Sequence, residues 1–192
     1  APTTSFYRVV IEPWIKRVEE LSEGKIQFEI YPGEQLGKAG DLLQLTKDGV
    51  TDIGVFNTNL FMDNMPLTGA LSGLPNLSKT AHQGTLAYQD LLNENQDLLE
   101  TDYLKNGVRP LLTHVSPTYE IWTTGQEIRV PEDLRGLKIR TPGGLANKVY
   151  EYMGVVPVTV PQPEIYEALD KGVVHALSSS TIAVDSSGIN EI

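Results

Sequence analysis

The chain has 192 residues, and its 15 Lys and Arg against 25 Asp and Glu give a formal net charge of −10. Nucleic acids and anionic membranes are bound by clustered positive charge, so this balance argues against both partners. The absence of cysteine excludes disulfides, thiolate nucleophiles and cysteine zinc sites. No apolar run approaches the roughly 20 residues of a membrane-spanning helix, so we expect no span. The first residues lack a signal-peptide pattern, so we expect that any signal peptide has been removed or was never present.

The first half of the chain alternates between helical and strand patterns. Trp14, Val18 and Leu21 recur at helical spacing, which predicts a helix that ends at Gly24. Further on, Ser78 is the predicted N-cap of a long helix that reaches about residue 105. The remaining predictions are strands over 25–31 and 52–56 and a helix over 41–47.

The second half repeats a strand–helix–strand order. Strands are predicted over 109–114, 119–123, 137–141, 155–160 and 173–177. Pro142, Gly143 and Gly144 open a predicted helix that ends at Gly154, and a second helix is predicted over 163–170. Such repeated units predict an α/β architecture with parallel sheets.

Polar residues follow three of the predicted strands. Asn57, Thr58 and Asn59 follow the strand over 52–56, Arg140 and Thr141 end the strand over 137–141, and residues 178–181 follow the strand over 173–177. Ligands of open α/β sheets bind beyond the carboxyl ends of the strands, so these residues are candidates for a binding site.

Arg140 is the most specific of these candidates. A guanidinium binds a carboxylate through two parallel hydrogen bonds, and the helix that follows Gly143 and Gly144 adds free N–H groups. These groups would form an anion site on an acidic protein. From the spacing alone, an equally good interpretation is a structural pair between Arg140 and an acidic residue such as Glu164.

The other motifs carry less chemical information. No dinucleotide or Walker fingerprint is present and the three histidines are isolated, so we expect no cofactor, no metal site and no catalytic residue. The serines at 178–180 lack a Gly-x-Ser-x-Gly elbow. Phe56, Tyr119 and Trp122 are candidates for core packing or for the aromatic wall of a cleft.

Four stretches together resemble the extracytoplasmic solute-binding proteins of TRAP (tripartite ATP-independent periplasmic) transporters, the DctP-like family. They are 14–37 (with VEELSEGKIQFEIYPGEQLG), 42–56 (LLQLTKDGVTDIGVF), 121–144 (IWTTGQEIRVPEDLRGLKIRTPGG) and 153–177 (MGVVPVTVPQPEIYEALDKGVVHAL). Their order and spacing match across nearly the whole chain.

The resemblance implies a periplasmic-binding-protein-like (type II) α/β fold with two lobes and crossing hinge strands, incomplete at both ends. Lobe I would cover 1–112, the crossing hinge strand 113–124 and a partial lobe II 125–192. The arginine of the K-I-R strand binds the substrate carboxylate in this family, and Arg140 stands there. The implied function is non-enzymatic capture of an organic acid in the periplasm and its delivery to the membrane permease subunits. The expected ligand-binding residues are Arg140, Phe56, Asn57, Asn59, Trp122, Gly143, Gly144, Ser178 and Ser179.

One motif departs from the family pattern. Where the family has Asp and Gly, this chain has His175 and Ala176, and Ser178 and Ser179 stand at the positions of a Glu and a ligand-contacting Asn. We therefore expect the far end of the ligand to be recognised differently. Two alternatives remain at this point: an α/β hydrolase that uses a serine of 178–180, and the ligand-sensing domain of a receptor.

Overall fold

The computed structural model describes residues 6–186, 188 and 189, without the side chain of residue 186. The outermost parts of the two predicted lobes, 1–5 and 190–192, therefore lie outside the described residues. The α-helices are α1 (Glu12–Leu21), α2 (Leu42–Lys47), α3 (Pro66–Gly73), α4 (Ala81–Glu94), α5 (Gln96–Leu98), α6 (Leu145–Tyr152), α7 (Ile165–Asp170) and α8 (Thr181–Ser186). The strands are β1 (Glu120–Thr123), β2 (Lys138–Thr141), β3 (Val156–Thr159) and β4 (Ala176–Ser179). Tighter or wider helical turns cover Tyr7–Ile11, Ala39–Asp41, Thr58–Phe61, Leu99–Tyr103, Leu104–Asn106, Pro131–Leu134 and Gln162–Glu164.

The four strands form one mixed sheet in the order β1-β4-β2-β3. Strand β2 pairs in parallel with both β3 and β4, and Arg140 lies opposite Val158 on one side and Leu177 on the other. Strand β1 pairs antiparallel with β4 at the edge of the sheet. The chain leaves β2 towards β3 and later returns on the other side of β2 as β4, so the strand order reverses at β2.

Helices cover both faces of this sheet. One face packs the apolar side chains of α7 and α8 against Leu177, with Trp122 and Val158 at the margin. The opposite face buries Ile139 and Ala176, and Tyr150 of α6 packs there. Because neighbouring residues of a strand point to opposite faces, Arg140 lies on the face of Leu177 and Ser178 lies on the face of Ile139.

The first half of the chain is mainly helical around its own core. The buried members of that core are Leu43, Phe61, Met65, Leu92, Leu98 and Tyr103. The strands predicted over 25–31, 52–56 and 109–114 are wrong, because no residue there forms a bridge within the described chain. Polar and apolar residues alternate in these segments as they do in strands. A β-ladder, however, also needs the N–H and C=O groups of a neighbouring strand. Ile26 and Val55 are accordingly half exposed.

The predicted long helix after Ser78 is shorter and interrupted. It begins after Thr80, whose hydroxyl accepts from Gln83 N at 3.1 Å. It ends at Asn95, whose side chain accepts from Leu98 N and caps the next short helix. Asparagine offers the backbone this local hydrogen bond in competition with the helix, which explains the break. No described helix is long and apolar enough to cross a membrane.

Candidate functional site

The candidate site lies at the carboxyl end of β2, where the strand order reverses. In open α/β sheets such a reversal leaves a crevice between two neighbouring strands whose connections run over opposite faces. Here the neighbours are β2, which continues into α6, and β4, which continues into α8. Arg140 is the third residue of β2 and stands beside this crevice.

Arg140 is a buried cation held by backbone oxygens. Its side chain is 3% exposed, its Nε donates to Val160 O at 2.8 Å, and its Nη1 donates to Ser178 O at 3.0 Å. Burial lowers the pKa of Arg140 to about 10, against the opposing effect of the nearby Tyr119. The guanidinium is thus charged at neutral pH and is oriented by β4 and by Val160, the residue that follows β3.

No described carboxylate lies within 4.0 Å of the Arg140 guanidinium, so the structural ion pair considered from the sequence does not form among the described residues. Glu164, the partner considered from the sequence, instead lies 3.3 Å from Lys38 Nζ. A buried cation without a counter-charge is costly, so the arrangement favours an anion from outside the described chain.

The serines after Leu177 have different environments. Ser178 Oγ accepts a hydrogen bond of 2.7 Å from the Tyr150 hydroxyl, on the face of the sheet away from Arg140. Ser179 lies on the Arg140 face, is 1% exposed, and its Oγ has no hydrogen-bond partner among the described residues. The Ser179 backbone oxygen accepts from Trp122 Nε1 at 3.0 Å. Ser179 therefore presents, on the sheet face of Arg140, a hydroxyl that has no partner among the described residues, whereas the Ser178 hydroxyl already bonds Tyr150.

The turn after β2 brings the two halves of the chain into contact. Gly143 and Gly144 have φ angles of +91° and +65°, which disfavour any residue with a side chain. A Cβ atom on Gly144 would lie 2.7 Å from Met62 Sδ and 3.2 Å from Asn59 O, so glycine permits this approach. The Asn59 side-chain oxygen is also buried without a partner among the described residues.

Two expected ligand-binding residues have contacts elsewhere. Phe56 packs edge to face on Phe61, with ring centroids 4.8 Å apart, beside the core of the first half. The Asn57 side chain accepts from Asn59 N at 3.0 Å and caps the helical turn Thr58–Phe61. No hydrogen bond joins either residue to Arg140 within the described chain. Their role in ligand binding stays a prediction.

Polar residues that no sequence motif marks also support this site. Asn147 of α6 hydrogen-bonds Thr141 Oγ1 and donates to Thr159 Oγ1 at 3.0 Å, and Tyr150 holds Ser178. Asn147 and Tyr150 are three residues apart, so they share one helix face. That spacing was the available signal, but only the packing of α6 on the sheet shows what the face contacts.

The described residues contain no group of three or more His, Asp or Glu side chains that could hold a metal ion. No histidine side chain in this part of the chain hydrogen-bonds a serine of 178–180. The His114 ring packs on Phe6 in a tilted arrangement, with centroids 4.9 Å apart, and burial lowers the pKa of His114. The arrangement lacks the serine–histidine pair that activates a hydroxyl nucleophile.

Solved structures with similar folds cover all or nearly all of the chain. The TRAP solute binding protein of Rhodoferax ferrireducens T118, in complex with copurified benzoate, matches with a TM-score of 0.90 and 28% identity over 100% of this chain and 58% of that one. A marine metagenome TRAP solute binding protein specific for aromatic acid ligands matches with a TM-score of 0.89 and 28% identity. This match covers 100% of this chain and 58% of that one. The TRAP periplasmic solute binding protein of Desulfovibrio salexigens, an open complex, is 30% identical and has a TM-score of 0.71. This match covers 98% of this chain and 56% of that one. These matches confirm the type II periplasmic-binding α/β fold.

Sequence relatives agree with the structural matches. The solute-binding protein RD1_1052 of Roseobacter denitrificans is 28% identical over 184 residues, which cover 93% of this chain and 54% of that protein. The chain spans about half the length of the curated relatives it matches. The family described as bacterial extracellular solute-binding protein, family 7 (DctP) matches residues 1–192. The chain therefore belongs to the DctP family of bacterial extracellular solute-binding proteins.

Proposed function

We propose that this chain is part of the periplasmic substrate-binding subunit of a TRAP transporter, which captures an organic acid anion and delivers it to the membrane permease. The ligand carboxylate pairs with the Arg140 guanidinium. The single observation that carries this proposal is a buried arginine that two backbone oxygens orient and no described carboxylate neutralises.

We extend the proposal to a division of the chain into two lobes. Lobe I covers 1–112, the crossing segment 113–124 and lobe II 125–192, and the ligand lies between the lobes. The contact of Asn59 and Met62 with Gly144 brings lobe I to the turn that follows Arg140. Closure around the ligand removes water from the guanidinium, which strengthens its pairing with a carboxylate and penalises a neutral ligand.

The other residues of the site have smaller roles. Ser179 supplies a hydroxyl that is free to bond a polar group of the ligand. Trp122 donates to Ser179 O and so fixes the end of β4. Ser178 supports Arg140 through its backbone oxygen, while its side chain bonds Tyr150.

Binding without catalysis explains the site better than hydrolysis does. A serine hydrolase needs a base beside its nucleophile, and the described histidine side chains bond none of these serines. The benzoate complex and the aromatic-acid-specific protein point to aromatic acids as the first ligands to test. A ligand-sensing receptor domain would have the same site, and a kinase or membrane segment in the complete gene would identify it.

A thermal-shift screen on the full-length protein tests this proposal. The panel contains benzoate, 3-hydroxybenzoate, mandelate, galacturonate and pyroglutamate, each beside its amide. A ligand at one hundred times its Kd stabilises the protein by about 2.7 kcal/mol, which raises the unfolding midpoint measurably. We expect acids to raise the midpoint and amides to leave it unchanged. Equal shifts from an acid and its amide would contradict the carboxylate–arginine pair, and turnover of an ester would favour the hydrolase.

A further inference from the structure

Lys38 forms the one ion pair that joins the two proposed lobes within the part of the chain that the structure describes. The other described ion pairs link residues no more than four positions apart. Lys38 Nζ, by contrast, lies 3.3 Å from Glu164 Oε1, 126 positions away. A contact of this kind constrains the arrangement of the two halves rather than the shape of one helix.

The Lys38 ammonium is held in place from its own side. Glu34 Oε2 accepts from Lys38 Nζ at 3.1 Å, and Glu34 Oε1 accepts from Ala39 N at 2.9 Å. Glu34 also has a φ of +65°, which is uncommon for a residue with a side chain. The two hydrogen bonds of the Glu34 carboxylate thus hold Lys38 beside a backbone conformation that is itself unfavourable.

Glu164 lies close in the chain to the candidate ligand site. It ends the helical turn Gln162–Glu164, and Val160, four residues earlier, supplies the backbone oxygen that accepts from Arg140 Nε. Neither Lys38 nor Glu164 has a hydrogen bond to Arg140 in the described residues. Their ion pair therefore joins the lobes without being part of the proposed carboxylate pocket.

We infer that Lys38 and Glu164 form a latch that stabilises the closed arrangement of the two lobes and so increases ligand affinity without contacting the ligand. This inference rests on the proposed two-lobe binding function. Both side chains are partly exposed, 68% for Lys38 and 41% for Glu164, so water screens the pair and its effect is modest. We expect loss of the latch to lower the closed-to-open ratio about two- to fivefold at low salt.

The test measures the lobe distance in the ligand-free, full-length protein. These 192 residues contain no cysteine, so spin labels are attached to cysteines introduced at the exposed residues Lys47 and Asp170, with any cysteine elsewhere replaced by serine. We expect Lys38→Met and Glu164→Gln each to shift the distances between the labels towards longer values. The label distances in the double variant should resemble those in Lys38→Met alone. In 1 M NaCl, the label distances of the variants should differ less from those of the unsubstituted protein.

Lys148→Met is the matched control, because Lys148 is 69% exposed and pairs with Glu151 inside the proposed lobe II. Its distance distribution should equal that of the unsubstituted protein. Unchanged distances in Lys38→Met, or an equal change in Lys148→Met, would overturn the latch. A merely structural role would lower the thermal midpoint and leave the distances unchanged. This measurement needs no ligand, so it is separable from the acid screen: the latch fails if the distances stay constant although acids bind.

Discussion

Arg140 Nη1 donates a hydrogen bond of 3.0 Å to the backbone oxygen of Ser178 on the neighbouring strand β4. Together with the bond from Nε to Val160 O, it fixes the guanidinium against β4 and against the residue that follows β3. A binding group that is already oriented loses little conformational entropy when its ligand arrives. The folded sheet therefore already holds the guanidinium in its binding orientation, so less conformational entropy is lost when the ligand binds.

Arg140→Met is expected to abolish most of the affinity for a carboxylate ligand, because it replaces the guanidinium with an unbranched apolar side chain. Loss of one partner of a buried, hydrogen-bonded charge pair costs about 2–5 kcal/mol, which corresponds to an increase in Kd of about 30-fold or more. Isothermal titration of the full-length protein with the acid identified by the screen measures this change. Circular dichroism checks that the variant is folded. A Kd within threefold of the unsubstituted protein would rule out the anchor role.

Tyr150→Phe is expected to destabilise the protein by about 1–2 kcal/mol, because it leaves the buried Ser178 hydroxyl without its partner. Urea unfolding measures the change in the free energy of unfolding. The control is Tyr152→Phe on the same helix, since Tyr152 is 93% exposed. Equal effects of the two substitutions would show that the hydrogen bond to Ser178 contributes nothing.

Gly144→Ala is expected to destabilise the protein by at least about 1 kcal/mol more than Gly136→Ala. Both glycines have a positive φ, so alanine is strained at either position. Only at Gly144 does the added Cβ meet other atoms, Met62 Sδ at 2.7 Å and Asn59 O at 3.2 Å, whereas nothing lies within 4 Å at Gly136. Chemical denaturation of both variants gives the comparison. Equal losses of unfolding free energy in the two variants would mean that the close contact of Gly144 with Met62 and Asn59 does not contribute to stability.

Glu34→Gln is expected to lower stability at neutral pH and to lose this effect in acid. The hydrogen bond from Ala39 N and the charge of Lys38 hold the pKa of Glu34 below its ordinary value of 4.5. A carboxyl group with a lowered pKa in the folded state contributes stability above the unfolded value, and this contribution disappears as the pH falls below 4.5.

Unfolding free energies of the two proteins, measured from pH 7 down to pH 3, should therefore converge as the pH falls. Glu94→Gln is the control, since the Glu94 side chain makes no hydrogen bond in the described residues. A difference between Glu34→Gln and the unsubstituted protein that stays constant with pH would contradict the depressed pKa of Glu34.

Local patterns located the second-half sheet well. The strands predicted over 119–123, 137–141 and 155–160 correspond to β1, β2 and β3, and the predicted fourth strand is displaced to Ala176–Ser179. These segments succeed because each finds a hydrogen-bonding neighbour in the same part of the chain. The segment over 25–31 has an equally clear alternation but no partner among the described residues, so it forms no strand.

The sequence by itself determined the family, the α/β class and the prominence of Arg140, because these follow from motif order, from periodicity and from a cation at the end of a strand. Tertiary structure alone decided the partners: Arg140 is bonded to backbone oxygens rather than to Glu164, and Glu164 is bonded to Lys38. It also directed Ser178 towards Tyr150 and left the Ser179 hydroxyl without a hydrogen-bond partner among the described residues. Hydrogen bonds and ion pairs depend on distances of a few ångströms between residues far apart in the chain, and those distances exist only after the sheet and its helices have packed.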